Sequence, residues 1–321
     1  GAPLPPGADL VVMREWTEEA PGESVRVLRV GPGPGDNVRS AGEDVAAGAV
    51  CVPAGRPLEA ADLALLAAQG MTRLDCRRRP RVAILSTGDE VQQPGDPLPP
   101  GHIYCGNSHA LAALVREAGG VPRLLGIARD TPESLREHFE RVGDADALVT
   151  IGGVSVGDFD FVKEVATELG AEQQFWKVAM RPGKPNAYGQ LQGVPWWGLP
   201  GNPVSSMVSF LQYVRPALLK MQGRHEIFLP TLEARLAHEI TSRKRFLFLY
   251  RGIVRPDPEG SGYIVTSTGP QGSGIMRSMA DANCLISVPE DVEHLPEGAR
   301  VQVQLLPRTG PAQAEPGLRR D

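Results

Sequence analysis

Between Pro80 and Gly223, runs of apolar and β-branched residues alternate with stretches whose apolar positions recur every three or four residues. "RVAILST" has the composition of a buried strand, and Leu111, Leu114, Val115 and Ala118 after it keep the i, i+3, i+4, i+7 spacing of one helix face. "VPRLLGIA" leads into "DTPESLREHFERV", where Pro132 suits a first helical position and Leu135, Phe139 and Val142 share a side. "ALVTIGG" precedes a stripe of Val162, Val165, Ala166 and Leu169, and "VPWWGLPGNP" precedes one of Val204, Met207, Val208 and Leu211. Strand and helix alternating in this way predict a mostly parallel sheet with helices on both faces. Ligands of such sheets bind beyond the carboxyl ends of the strands.

The flanks follow other periods. Residues 1–40 hold short strand-like runs, "ADLVVMREWT" and "SVRVLRV", broken by "APGE" and "GPGPGDN", which predicts a partial β-rich module. Residues 41–79 form a linking segment with one helix, because Leu63, Leu66 and Ala67 recur at helical spacing before Gly70. From Glu226 to residue 308 the β-type runs "TLEARLAHEI", "RFLFLYRGIV", "GYIVTSTG", "CLISVPE" and "RVQVQLL" predict a compact β-barrel or sandwich. Residues 309–321 are polar and aperiodic and are expected to be disordered. The fold class is therefore multidomain α/β plus β, with the α/β domain spanning 80–225.

At 321 residues with 41% hydrophobic and 22% charged positions, the chain has the material for more than one core. A formal net charge of -5 argues against a general nucleic-acid binder. No apolar run is long enough to span a bilayer, and no basic-then-apolar leader opens the sequence, so a cytoplasmic protein without membrane partners is expected. Cys51, Cys76, Cys105 and Cys284 include no C-x-x-C pair and are expected to be free and mostly buried. The histidines lack metal-ligand spacing.

The predicted strand ends carry the candidate chemistry. "STGDEV" places Asp89 and Glu90 after one strand, "GIARDTPES" places Asp130 after the next, and "GGVSVGDFD" places Asp158 and Asp160 after a third, with "GLPGNP" after a fourth. Gly152, Gly153 and Gly157 allow backbone N–H groups to approach a ligand, and a helix N-terminus favours anions. "KVAMRPGKP" brings Lys177, Arg181 and Lys184 toward the same rim. Structural roles compete with these: Asp130 and Glu133 fit a D-x-x-E capping box, Asp158 and Asp160 suit helix caps, and Asn202 before Pro203 suits an N-cap. Carboxylates on three strand ends with cations beside them exceed what capping requires.

"STGDEV", "GGVSVGDFD", "MRPGKP" and "GLPGNPVSS", in this order, resemble the molybdopterin molybdenumtransferase family (MoeA type), which includes the E domain of gephyrin. The resemblance extends to "GAPLPPGADLVVM", "GEDVAAGAV" and "TGPQGSG" and covers Gly1 to about Pro307. "GGVSVGD" alone would also fit the molybdopterin adenylyltransferases, which share the central fold; the flanking β domains, "MRPGKP" and "GLPGNP" favour the molybdenumtransferase. A gephyrin-like, non-catalytic scaffold is the rival from another class. The resemblance implies that adenylylated molybdopterin and molybdate are converted to molybdenum cofactor and AMP with Mg²⁺ or Zn²⁺.

Position by position, the resemblance implies that Glu90, Asp130 and Asp160 are metal or substrate ligands and proton-handling groups. It makes Asp44 a further functional carboxylate, shaping the cleft across a dimer interface. Lys177, Arg181 and Lys184 are matched to binding of the anionic substrate and molybdate, with arginine at 181 where some members have lysine. Gly152, Gly153, Ser155 and Gly157 match the glycine loop, and Pro200, Asn202 and Pro203 the substrate loop. Arg251 and Ser273 match residues that close the molybdate end, although a plain turn role for Ser273 fits equally well. A homodimer is implied, as are hand-over partners, a molybdopterin adenylyltransferase and molybdoenzymes. Members carry about a further domain ahead of the "GAPLPPGAD" segment, so the chain as given is expected to have the architecture with reduced or no turnover.

Overall fold

The computed structural model describes residues 1–154, 161–258 and 260–307. The chain divides into two units, Gly1–Leu74 and Asp75–Asp321. In the first, Thr17–Ala20 (β1) and Ser24–Val27 (β2) pair antiparallel around a turn in which Gly22 and Glu23 take φ of +77° and +56°. Helix α1, Ala60–Ala68, begins with a reciprocal cap: the Glu59 carboxylate accepts from the backbone of Asp62, and the Asp62 carboxylate accepts from the Glu59 N–H at 2.9 Å. Of its predicted stripe, α1 buries Leu66, while Leu63 stays exposed.

The second unit is built on a six-stranded sheet. Its strands are Arg81–Thr87 (β3), Val121–Ala128 (β4), Ala147–Ile151 (β5), Glu172–Lys177 (β6), Pro185–Leu191 (β8) and Val194–Leu199 (β9), in spatial order β4-β3-β5-β9-β8-β6. β4, β3, β5 and β9 are mutually parallel, and β8 runs antiparallel to both neighbours. Alternation along β3 decides which side chain faces which helix layer. Val82 and Ile84 pack with Asn107–Glu117 (α2), Pro203–Ser209 (α5) and Arg215–Met221 (α6) through Leu111, Val115, Val204, Val208 and Leu218. Ala83 and Leu85 face Pro132–Glu140 (α3) and Phe161–Glu168 (α4) through Leu135, Phe139, Val162 and Val165. Each such side chain contributes about 1.5–3 kcal/mol when fully buried, so the two layers hold the sheet rigid beneath its rim.

β6 and β8 depart from the sequence expectation, which placed no strand on "EQQFWK" or "PNAYGQL". Between α5 and α6 the helix passes through a π-type turn at Phe210–Val214, just before Pro216, which has no N–H to give.

The C-terminal part closes as a five-stranded barrel. Thr231–Leu236 (β10) pairs with Arg300–Leu305 (β14), which pairs with Cys284–Val288 (β13), then Leu247–Pro256 (β11), then Tyr263–Ser267 (β12), which returns to β10. Leu236, Val265, Ile286 and Val303 fill it. A two-residue strand, Met180–Arg181 (β7), lies parallel to the start of β11, with Leu247 opposite Met180 and Phe248 opposite Arg181. The sheet domain and the barrel are thus joined at the "MRPGKP" segment. All four cysteines are free, but only Cys105 and Cys284 are buried; Cys76 is exposed, against the expectation that most would be inside. The 309–321 tail lies outside the described residues.

Candidate functional site

The carboxyl ends of β3, β4, β5 and β9 meet at one cleft of about 750 Å³. Glu90, Asp130, Gly152, Gly153, Pro200, Asn202 and Pro203 line it together. Ser155, Gly157, Asp158 and Asp160 lie outside the described residues.

Backbone packing forms the floor. Gly152 has φ +89° and donates its N–H to Leu199 O at 3.0 Å; a Cβ there would stand 2.8 Å from Thr87 Oγ1. Gly153 has φ +62°, and a Cβ there would meet Val162 Cγ2 at 2.3 Å. Only glycine fits either position, and the absence of side chains leaves the floor open to a ligand. Asn107, at the start of α2, donates to Gly201 O at 2.7 Å and ties the "GLPGNP" loop to the opposite wall. Asn202 takes the N-cap position of α5 with Pro203 behind it, yet its side chain makes no capping bond and lines the cleft instead.

Asp130 is not the cap of α3. That place belongs to Thr131, whose Oγ1 accepts from the Ser134 N–H at 3.3 Å, because Pro132 takes the first helical position. Asp130 instead exchanges contacts with the loop after β3: its N–H donates to Asp89 Oδ1 at 3.2 Å, and its Oδ2 accepts from Asp89 N at 3.4 Å. Burial, then the neighbouring charges of Asp89 and Glu90, raise its carboxyl above the ordinary aspartate range, although the backbone bond from Asp89 opposes this. No lysine or arginine is among the described residues that line this cleft, although Arg129 Nη1 donates to Asp89 O at 3.0 Å beside it. Among the described residues, no three His, Cys, Asp or Glu side chains are grouped as a metal site.

A second cleft of about 630 Å³ adjoins the first, sharing Pro185 and Asn202 with it. Arg181, Lys184, Arg243 and Arg251 line it, with Gln271 and Ser273, and no carboxylate is among its lining residues. Arg251 is 1% exposed, on β11. Its Nε donates to Ser278 Oγ and an Nη to Gly272 O, both at 3.1 Å, and burial pushes its pKa down to about 10. It stays charged at neutral pH, and no ion pair to it forms among the described residues. A buried cation without a counter-ion is costly, and an anionic ligand removes that cost. Ser273 lines the cleft, and its carbonyl accepts from the Val204 N–H at 3.0 Å, so it also serves the first turn of α5.

Two predicted residues fall elsewhere. Lys177 ends β6 opposite Pro185 but lines neither cleft. Asp44 belongs to the Gly1–Leu74 unit, in a pocket with Arg39, Glu43 and Gln69. Arg243, Gln271 and Asn107 were missed by sequence reasoning; only the basic run "SRKR" signalled the first. Cys105, also missed, lies on the first cleft's wall between the hydroxyls of Ser86 at 3.2 Å and Ser108 at 3.1 Å.

A glycine-floored, carboxylate-rimmed cleft at the strand ends, joined to a cation-lined cleft against a barrel, defines an anion-handling α/β protein with an appended β-barrel module. Residues 83–220 match the family described as "Probable molybdopterin binding domain", residues 1–70 the "MoeA N-terminal region (domain I and II)" and residues 233–306 the "MoeA C-terminal region (domain IV)". The chain is 38% identical over 309 residues to molybdopterin molybdenumtransferase 2 of Mycobacterium tuberculosis, covering 94% of this chain and 75% of that protein. It is 36% identical over 314 residues to the molybdopterin molybdenumtransferase of Nostoc sp., covering 96% and 71%. The crystal structure of the MoeA protein from Pyrococcus horikosii superposes with a TM-score of 0.78 at 35% identity, covering 95% of this chain and 74% of that one. The chain belongs to the MoeA-type molybdopterin molybdenumtransferase family.

Proposed function

We propose that the chain inserts molybdenum from molybdate into adenylylated molybdopterin and releases AMP. The observation that carries this is the joining of the two clefts at Pro185 and Asn202, one rimmed by carboxylates and the other lined by four cations without a carboxylate. A nucleotide-bearing, multiply anionic substrate and an oxyanion need such neighbouring but electrostatically different sites. Adenylyl transfer from ATP brings no separate tetrahedral oxyanion to the site, so a second, cation-lined cleft beside the first favours the molybdenumtransferase over the adenylyltransferase.

In this proposal the open floor at Gly152 and Gly153 receives the substrate's phosphates, and Arg181, Lys184, Arg243 and Arg251 hold molybdate. Glu90, Asp130 and Asp160 form the candidate metal set. All three are hard oxygen donors without thiolate or imidazole, which fits Mg²⁺ better than Zn²⁺. A cation held there would supply charge neutralisation at phosphate oxygens. Asp44 has its role across the dimer interface, and Lys177 acts as a peripheral steering charge. A homodimer, hand-over to molybdenum-using proteins and a cytoplasmic location belong to the same proposal; four unpaired cysteines suit a reducing compartment. No helix among the described residues is long and apolar enough to cross a membrane.

Calorimetry with AMP and with molybdate tests both halves. Each should saturate a separate site, and Lys184→Gln or Arg243→Gln should weaken molybdate by about tenfold while leaving AMP unchanged. In a turnover assay, AMP release from adenylylated molybdopterin should require molybdate. Competition of the two ligands for one site, or ATP-driven adenylylation of molybdopterin, would overturn the assignment.

A further inference from the structure

Phe246 lies just ahead of β11, outside the residues that line the cation cleft. Its ring collects two of the cleft's cations: the Arg181 guanidinium carbon stands 4.8 Å from the ring centroid and Lys184 Nζ 5.6 Å. Neither cation forms an ion pair among the described residues. Two like charges gathered on one ring repel each other, and the ring's negative face offsets part of that repulsion before a ligand arrives.

The backbone on either side of the half-buried ring is held. Arg245, in the left-handed region at φ +77°, donates its N–H to Glu290 O at 2.8 Å, and Leu247 donates to Ala179 O at 2.9 Å. Phe246 meets Phe248 edge-on at 6.4 Å, and Phe248 stacks on Tyr250 at 5.6 Å. A ring on a braced backbone, with Phe248 at its edge, therefore stands beside two long, flexible side chains on a segment bonded to the same strand. Arginine and lysine lose much rotamer freedom when they order around a ligand. Parking both on a rigid surface beforehand lowers that cost, which is pre-organisation.

We infer that Phe246 is a positioning residue for the oxyanion end of the site: its ring gathers Arg181 and Lys184 so that both face one tetrahedral oxyanion. The inference rests on the proposed function, in which that cleft holds molybdate. Phe248 and Tyr250 line the cleft directly, whereas Phe246 acts only through the two cations. Its effect should therefore disappear when the cations are absent.

The test is calorimetric titration of the intact chain with molybdate, and with tungstate as an isosteric probe, alongside AMP. Phe246→Leu keeps apolar bulk but removes the aromatic face; it should weaken both oxyanions about 3–10-fold and leave AMP affinity and the melting temperature near wild type. Phe246→Tyr should restore wild-type oxyanion affinity. In an Arg181→Gln/Lys184→Gln background, Phe246→Leu should have no further effect. Equal behaviour of the leucine and tyrosine variants, or a persistent loss in the double-glutamine background, would overturn the positioning role. If the double-glutamine chain loses oxyanion affinity and Phe246→Leu does not, the positioning role fails while the functional proposal stands. A wild-type chain that binds neither oxyanion sinks the functional proposal, and the inference with it.

Discussion

At the scale of single residues, Asp130 is a carboxylate that the rim holds at a cost to stability. Its carboxyl is raised mainly by burial and further by Asp89 and Glu90. A carboxyl whose pKa rises on folding holds its proton more tightly in the folded chain, so stability falls as pH rises from the ordinary aspartate range through the raised value. Asp130→Asn should therefore melt slightly above wild type at about pH 7, and the difference should vanish at about pH 3, where both states are protonated. Added Mg²⁺ should raise the melting temperature of wild type and leave Asp130→Asn unmoved, as read by differential scanning fluorimetry across pH with and without the metal. A lower melting temperature for the asparagine variant would instead give Asp130 a structural role. The sequence reading offered Asp130 with Glu133 as the cap of α3, but Pro132 at the first helical position puts Thr131, not Asp130, at the N-cap. That choice left Asp130 available to the cleft. The cation cleft was half legible: Arg181 and Lys184 stand in one recognisable run, but Arg243 and Phe246 come from a different domain, and only the β7–β11 pairing brings them together.

Among the elements, the strands buried on both faces were the readable ones. "RVAILST", "ALVTIGG" and "VPWWGL" are runs that water must not reach, and they became β3, β5 and β9. β6 escaped notice because, as an edge strand with mostly exposed residues, it carries no apolar period. β8 was hidden by its opening Pro185 and by Gly189, which look like loop residues. Gly189 is there because a Cβ would stand 2.5 Å from Glu172 O on the neighbouring strand. The opposite end of the sheet from the cleft is braced by Asp146, just before β5. Its carboxylate accepts from Arg78 at 2.5 and 2.6 Å and from the Arg81 N–H at 2.7 Å, and the Arg78 bond first, then the backbone bond against the cost of burial, holds it below the usual range. Stabilisation of this sign is present above the unfolded aspartate pKa and disappears as pH falls through the lowered one. Asp146→Asn should cost about 1 kcal/mol at about pH 7, limited by solvent screening of Arg78, with the loss closing in acid; urea unfolding at both pH values measures it. Because Asp130 and Asp146 shift in opposite directions, the two variants should diverge in opposite senses as pH rises.

For the whole molecule, the distribution of apolar surface between the two units matters more than either fold. The unit from Asp75 onward holds all three apolar clusters, whereas Gly1–Leu74 buries only Asp62 and Leu66. Meanwhile Val25, Leu28, Val30 and Val50 stand 62%, 56%, 57% and 78% exposed in that smaller unit. A segment of this length needs more burial than that to repay its ordering entropy. A second copy of the chain is the partner that the homodimer proposal supplies, and a two-fold interface would let each copy cover the other's exposed face. Sequence period alone could not show this, because "SVRV" alternates just as a strand buried on one face does, and only the structure shows β2 exposed along its whole length. Sedimentation of the chain should give twice the chain mass. Val25→Lys with Val30→Lys should shift it toward monomer and lower the unfolding midpoint of the first unit, while the barrel and sheet keep theirs. A wild-type chain sedimenting as a monomer, with the smaller unit still melting cooperatively, would mean that those valines need no cover and that the dimer is not what stabilises them.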